Sequence, residues 1–315
     1  MTDIRTNDSA VVRTVDESDS YTGALAGVTA EAVRIGRGLG PNVVVAARGE
    51  PVTVTSVRYG FPVNAWAQIP NDRTLIAYFH DSREGSQWCG VPLRAGSVIV
   101  YPPGTNHFAV AEAGLRLTYA VTEPERLMVL ADDLGLASEL PPDGKVLEVQ
   151  RSSAAERLGV AMSQHIGAAR GAVPTEGSSE PVLTALAGVL AGDPPPNLHG
   201  RGRGIDSRDI VRSCIAYAEA IDRVPSIREL CLTAHVSERR LRSAFNELFD
   251  CSPNSYFRRW ALERAHRWLR DAEPGERTVT DVASRLGIFH FGRFASYYRR
   301  VYGVNPSTTL RAVGS

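Results

Sequence analysis

Between Asn42 and Val121 the apolar residues fall in short β-branched runs, at 43–45, 52–57, 74–79, 97–101 and 115–121. Gly, Pro, Asn and Asp separate the runs at intervals typical of a sandwich or barrel, so this stretch predicts an all-β unit. The period then changes. Over 124–134, 154–169 and 182–191 apolar residues recur at helical spacing, interrupted by Gly171, Pro174 and Gly177. Ahead of the β unit, the polar MTDIRTNDSA and the Gly/Ala-rich stretch after it predict a frayed terminus leading into structure of no assigned type. Gly192 to Gly204, with three consecutive prolines and no apolar periodicity, predicts an interdomain linker.

Beyond the linker the helical pattern is duplicated. Ser226 to Glu229 is a capping box, in which the hydroxyl accepts from the Glu229 amide while the carboxylate reaches back. The helix it starts turns Ile227, Leu230 and Cys231 inward and gives way at Ala234-His235-Val236. Ser237 then caps a second helix, with Leu241, Phe245, Leu248 and Phe249 as its buried stripe. The repeat begins 52 residues later. Thr278 to Asp281 caps a helix carrying Val279, Val282 and Ala283; Gly287-Ile288-Phe289 turns; Phe291, Phe294, Tyr298 and Val301 stripe the next helix. The exits match as well, through Pro253 and Pro306. Between the units a helix from Ser252-Pro253 to about Arg270 buries Phe257, Ala261, Ala265 and Leu269. At 1.5 Å per residue its roughly 18 residues make a strut of about 27 Å. That length suits two recognition helices entering successive major-groove turns about 34 Å apart.

Whole-chain charge conceals an asymmetry. The 35 basic and 35 acidic residues cancel, yet from Arg201 onward there are 20 arginines against 13 acidic residues. The C-terminal part attracts a polyanion and the first 200 residues, with the opposite excess, do not. Cys89, Cys214, Cys231 and Cys251 have neither zinc-site spacing nor disulfide density, so reduced, mostly buried thiols are expected. No signal peptide and no apolar run near 18 residues stand in the sequence, so a cytoplasmic protein without membrane contact is expected.

The C-terminal 100 or so residues resemble the AraC/XylS family of bacterial transcription regulators. The resemblance is carried by Ser237-x-Arg239-x-Leu241 with Phe245, by Arg258-Arg259-Trp260 to Arg267-x-Leu269, and by Asp281-Val-Ala283 to Gly287-Ile288. Gly292-Arg-Phe-Ala to Tyr298-Arg299 and Gly303 to Arg311 complete it. It implies double-stranded DNA as partner, a dimer-competent N-terminal domain open to a small-molecule effector, and contact with RNA polymerase. The DNA-facing residues expected are Ser237, Arg239, Arg240, Arg242 and Ser243 in the first unit, and His290, Phe291, Arg293, Ser296, Arg299 and Arg300 in the second. Arg239, Arg242 and Arg293 are read as base readers, Arg299 and Arg300 as phosphate ligands. On the strut, Arg258, Arg259, Arg264 and Arg267 are either phosphate ligands or a solvated face. Two departures from the family pattern stand out. Ser243 and Ser296 replace a late arginine in each recognition helix, and His235 replaces a turn glycine, which predicts a turn without positive φ.

Gly96 to His107 matches the second half of the cupin signature, with Gly, Pro, Gly and His at fixed offsets around a hairpin. The fold class expected is therefore α+β: a cupin-like β-barrel or jelly roll with following helices, then an all-α domain of two helix-turn-helix units joined by a long helix. The divisions expected are an N-terminal segment 1–40, a sensing and dimerisation domain 41–191, a linker 192–207 and a DNA-binding domain 208–315. The only histidine upstream of His107 is His80, without the near partner a cupin metal site needs, so no cofactor, no metal and no enzymatic activity are expected. The competing reading is a cupin-type enzyme or metal sensor fused to a DNA-binding module. Trp66, Phe79, Trp88, Tyr101 and His107 are the candidate effector pocket.

Overall fold

The structure, a computed structural model, describes residues 2–7, 10–15, 25–38, 40–136, 140–141, 145–149, 151–170, 179–191, 197–200, 206–273 and 276–312. Its N-terminal part is made of strands β1 (Thr2–Asn7), β2 (Ala10–Val15), β3 (Thr29–Arg34), β4 (Asn42–Ala47), β5 (Val52–Arg58), β6 (Val63–Gln68) and β7 (Thr74–Phe79). These continue as β8 (Gln87–Trp88), β9 (Val91–Pro92), β10 (Val98–Tyr101), β11 (Asn106–Ala111) and β12 (Arg116–Thr122). Helix α1 (Pro124–Asp133), strand β13 (Lys145–Val149), helices α2 (Ser153–Arg170) and α3 (Glu180–Leu190) and strand β14 (Asn197–Gly200) complete it.

Two antiparallel sheets result. The larger runs β1-β2-β4-β5-β12-β7-β10-β13-β14 and the smaller β3-β6-β11-β8-β9. Strand alternation decides what each face meets. From β10, Ile99 and Tyr101 point between the sheets, while Val98 and Val100 point outward onto Leu158, Met162 and Leu186 of the covering helices. The sheets are layered as in a jelly roll and do not close into a barrel among the described residues.

All five β-branched runs are strands, and the three helical stretches are α1, α2 and α3. Four strands lie where another structure was expected. β1 and β2 pair as a hairpin in the stretch read as a frayed terminus, and β2 continues the sheet along β4. β14 lies within the stretch read as linker and pairs with β13, because backbone pairing at a sheet edge needs no apolar side chain. β3 lies ahead of residue 40, with the sequence TAEAVR. The segments 171–178, 192–196 and 201–205, which include the expected helix breaks and the rest of the linker, lie outside the described residues.

The C-terminal part contains α4 (Ser207–Ile221), α5 (Ile227–Thr233), α6 (Glu238–Phe249), α7 (Pro253–Arg270), α8 (Val279–Arg285), α9 (Phe291–Tyr302) and α10 (Pro306–Ala312). The long α7 is the spine: Tyr256, Phe257, Trp260, Ala261, Ala265 and Leu269 are buried along it. This core does not stop at the helical domain. Val33, Phe108 and Val110, on the outer face of the small sheet, belong to the same cluster as Phe245, Phe249 and Trp260. Phe108 meets Phe249 edge-on at 5.6 Å. The β unit is thus packed against the helices, with one sheet serving two cores.

Candidate nucleic-acid interface and inter-sheet cavity

Both helix-turn-helix units are built by the local chemistry their sequences promise. Ser226 Oγ accepts from the Glu229 amide at 3.2 Å while a Glu229 carboxylate oxygen accepts from the Ser226 amide at 2.7 Å. Thr278 and Asp281 repeat the exchange at 3.1 and 2.9 Å. Arg223 beside Glu229, together with the Ser226 bonds, holds that carboxyl down at about 2. Each first helix ends in the same closure, with Val236 N–H donating to Cys231 O at 3.1 Å and Ile288 N–H to Ala283 O at 2.9 Å.

That closure needs a left-handed residue just past the helix end. Gly287 supplies it at φ 77°, and His235 supplies it at φ 52°. The expectation that His235 avoids positive φ is therefore wrong. The requirement belongs to the closure, not to the residue, and a polar side chain tolerates it at some cost.

On the first recognition helix, α6, Leu241, Ala244, Phe245, Leu248 and Phe249 are buried. Arg239, Arg242 and Ser243 are exposed on the opposite face, and Ser237 is the N-cap, accepting from the Arg240 amide. Arg242 is held by Glu238 one turn back, at 2.6 Å. Arg240 is half-buried and turns away from this face, donating to Ser207 Oγ of α4 at 3.0 Å. On the second, α9, Phe294, Tyr298 and Val301 are buried. Phe291, expected in that stripe, is 40% exposed, because the stripe begins one turn later at Phe294. His290, Arg293, Ser296, Arg299 and Arg300 are exposed with it.

The second unit brings more to its surface than its sequence suggested. An open groove of about 940 Å³ runs between α7 and α9, lined by Asn254, Arg258, Phe289, Arg293, Tyr297 and Arg300 among others. Among the described residues no carboxylate lines it. Phe289 is 73% exposed beside it, and the Arg300 guanidinium stacks on Tyr297 at 4.7 Å. Asn254, Phe289 and Tyr297 carried no periodic signal of their own and became visible only through the groove. The strut arginines divide. Arg258 is exposed, whereas Arg264 is bound to Asp222 and stacked on Trp260 and Trp268, so it is part of the helical framework.

A polar and aromatic knot holds α9 from behind. The Tyr298 hydroxyl meets Nδ1 of His266 and donates to Thr309 Oγ1, while Tyr302 stacks on the His266 ring at 3.9 Å and donates to buried Glu263 at 2.9 Å. Burial pushes His266 down to about 3, so it is neutral. From the β unit, the Arg37 guanidinium donates to the last carbonyls of α9, at Arg299 and Arg300, at 3.0 and 3.1 Å.

Between the sheets lies a small enclosed cavity. Trp88 and His107 line it, with Ala30, Ala32, Ala65 and Ala67 from the small sheet, whereas Trp66, expected in the pocket, pairs with Phe108 and turns its ring to the opposite face, onto the helical core. Phe79 and Tyr101 belong to the surrounding core and are not part of its wall. His107 sits 5.1 Å from both the Trp88 and the Tyr101 rings, and burial drives its pKa down to about 3. His80 spends Nε2 on Thr118 Oγ1 at 2.9 Å. Among the described residues no group of three or more His, Cys, Asp or Glu is placed to hold a metal ion. The four cysteines are free thiols; Cys214 is buried and its pKa pushed up to about 12.

A family profile described as a helix-turn-helix domain matches residues 230–312. The probable thc operon regulatory protein of Rhodococcus erythropolis is 33% identical over 105 residues, 33% of this chain and 32% of that protein. The XylDLEGF operon transcriptional activator of Pseudomonas putida is 36% identical over 93 residues, 30% of this chain and 29% of its own. The chain thus spans about a third of the length of the curated relatives it matches. Among solved structures, a probable AraC family transcriptional regulator from Rhodopseudomonas palustris is 34% identical, over 33% of this chain and 97% of that one, with a TM-score of 0.31. No helix of the described residues is long and apolar enough to cross a membrane.

Proposed function

We propose that the chain, which is similar to AraC/XylS-type transcription regulators over its C-terminal third, is a sequence-specific DNA-binding regulator that answers to a small molecule taken up by its β domain. The observation that carries the DNA reading is the pair of capped helix hairpins on one strut, each presenting an exposed polar face. Residues 208–315 are the DNA-binding domain, 41–191 the sensing and dimerising domain.

In this reading Arg239, Arg242 and Arg293 reach base edges, since a guanidinium can fork onto guanine O6 and N7. Ser237, Ser243 and Ser296 lie beside them, and His290 and Phe291 meet the groove wall. Arg299, Arg300 and Arg258 take phosphates. Arg240 and Arg264 act through the framework. One pair of units covers an asymmetric half-site, so a homodimer working in the cytoplasm with RNA polymerase at a promoter is the assembly proposed. The test is affinity of the full chain for genomic fragments against competitor DNA. Sequence-specific binding above competitor is expected; uniform weak binding to every fragment at low salt overturns the proposal.

A further inference from the structure

On the reading that the chain binds DNA, we propose that Phe289 is a specificity-determining residue, its ring packing on the C5 methyl of a thymine in the major groove beside the base pair that Arg293 meets. The turn aims the ring. Ile288 N–H donates to Ala283 O at 2.9 Å while its side chain packs on the helical core, and Phe294 N–H donates to His290 O at 3.0 Å. Phe289 lies between these two fixed points and is 73% exposed, while Phe294 is buried. Held on both sides, the ring is presented to solvent with little backbone freedom to lose on binding.

Its surroundings select the partner. Arg293, Ser296, Tyr297 and Arg300 recur at helical spacing along α9 and line the groove that Phe289 heads, with Arg258 of α7 on the same wall set. Among the described residues no carboxylate balances these arginines within the groove. A polyanion is attracted here, whereas the apolar face of a partner helix would meet three guanidinium groups around one ring. A Cβ added at Gly292 would meet nothing within 4 Å, so the start of α9 leaves room for a base edge to approach.

The chemistry of the major groove then selects the base. The edges of guanine, cytosine and adenine present donors and acceptors, whereas thymine adds a methyl at C5. Phenylalanine has no donor or acceptor, so a ring pressed onto a polar edge would strip its water and return no hydrogen bond. Against a methyl it removes two apolar surfaces from water at once. Phe289 and Arg293 thus read by different means, one by contact with a methyl and the other by a forked bond to guanine. The second unit should require a thymine close to a guanine.

The experiment uses the full chain and a duplex carrying its mapped site, with each thymidine in turn replaced by deoxyuridine, which removes the methyl and keeps every donor and acceptor. Affinities are read by fluorescence anisotropy at one salt concentration. For the wild type, one replacement is expected to weaken binding about fourfold, as the loss of one buried methyl should. Phe289→Ala should bind that duplex and the unmodified one equally, at an unchanged melting temperature because the side chain is exposed. Phe289→Asn takes its place should alanine lower that temperature. Phe289→Leu, still apolar, should keep part of the difference, and Arg293→Ala should keep it whole. At the same position 5-methylcytosine should bind the wild type more tightly than cytosine does, and Phe289→Ala equally. No deoxyuridine penalty at any position, or penalties that Phe289→Ala leaves in full at every position, overturns the methyl reading and leaves the regulator standing. Wild-type binding to the site no tighter than to competitor DNA overturns the regulator reading and this proposal with it.

Discussion

The two helix-turn-helix units share a cap, a turn and an exit proline, yet present different chemistry to a ligand. The exposed face of α6 is balanced: Arg242 is already paired with Glu238, and Arg240 is turned inward to Ser207. On the second, no carboxylate among the described residues lines the groove that Arg258, Arg293 and Arg300 share, and Phe289 and Phe291 are exposed. Their supports differ too. The first leans on Phe108 from the β unit, the second on the polar knot around His266. Duplication preserved what folds each unit and left the solvent-facing positions free to diverge.

The largest expected effect breaks the first support. Phe108→Ala removes a fully buried ring from the joint core and should cost about 3 to 5 kcal/mol. Urea unfolding measures the loss, and amide exchange should rise in α6 before α9. Equal loosening of both helices would mean that the β unit supports the two units alike.

Next come the reading faces. Arg239→Ala should relax base preference by about 1 to 3 kcal/mol at one position of a mapped site. Arg300→Ala should instead weaken all sequences alike and reduce the salt slope by about one. Single-base variants measured across a salt series separate the two outcomes. Arg240→Ala, by contrast, should leave base preference unchanged and lower stability.

Acid should act on both regions through one buried histidine each. His107 and His266 are held near 3 against an ordinary 6.5, so below pH 6.5 the unfolded chain binds protons that the folded chain refuses. Stability is complete above that range and falls with pH by roughly 1.4 kcal/mol per unit for each histidine, until the folded values are reached. Unfolding midpoints between pH 7 and 5 check this, and His266→Asn should remove about half of the dependence. A flat profile would mean that neither ring is held neutral.

The smallest effect concerns the turns. His235→Gly should stabilise by about 1 kcal/mol, because a left-handed residue with a Cβ is strained where glycine is not. Gly287→His should cost about as much, although nothing lies within 4 Å of the added Cβ. Melting temperatures of the two variants should move in opposite directions.

What the sequence determined by itself was local. The caps close within three residues, the buried stripes recur within one helix, and the strut runs unbroken between two signals. Both units and their spacing were therefore legible at Ser226, Thr278, Pro253 and Pro306. The β-branched strands were legible for the same reason. The small sheet was not: β3, β6 and β11 read TAEAVR, VNAWAQ and NHFAVA, and their alanines look indifferent until the strands are paired. Tertiary structure alone decided that alternate residues of those strands face a cavity on one side and the helical core on the other. It also tied Arg240 to Ser207 and Arg264 to Asp222 and imposed a left-handed turn on His235. In each case the partner lies far along the chain or in the backbone closure, where no periodicity records it.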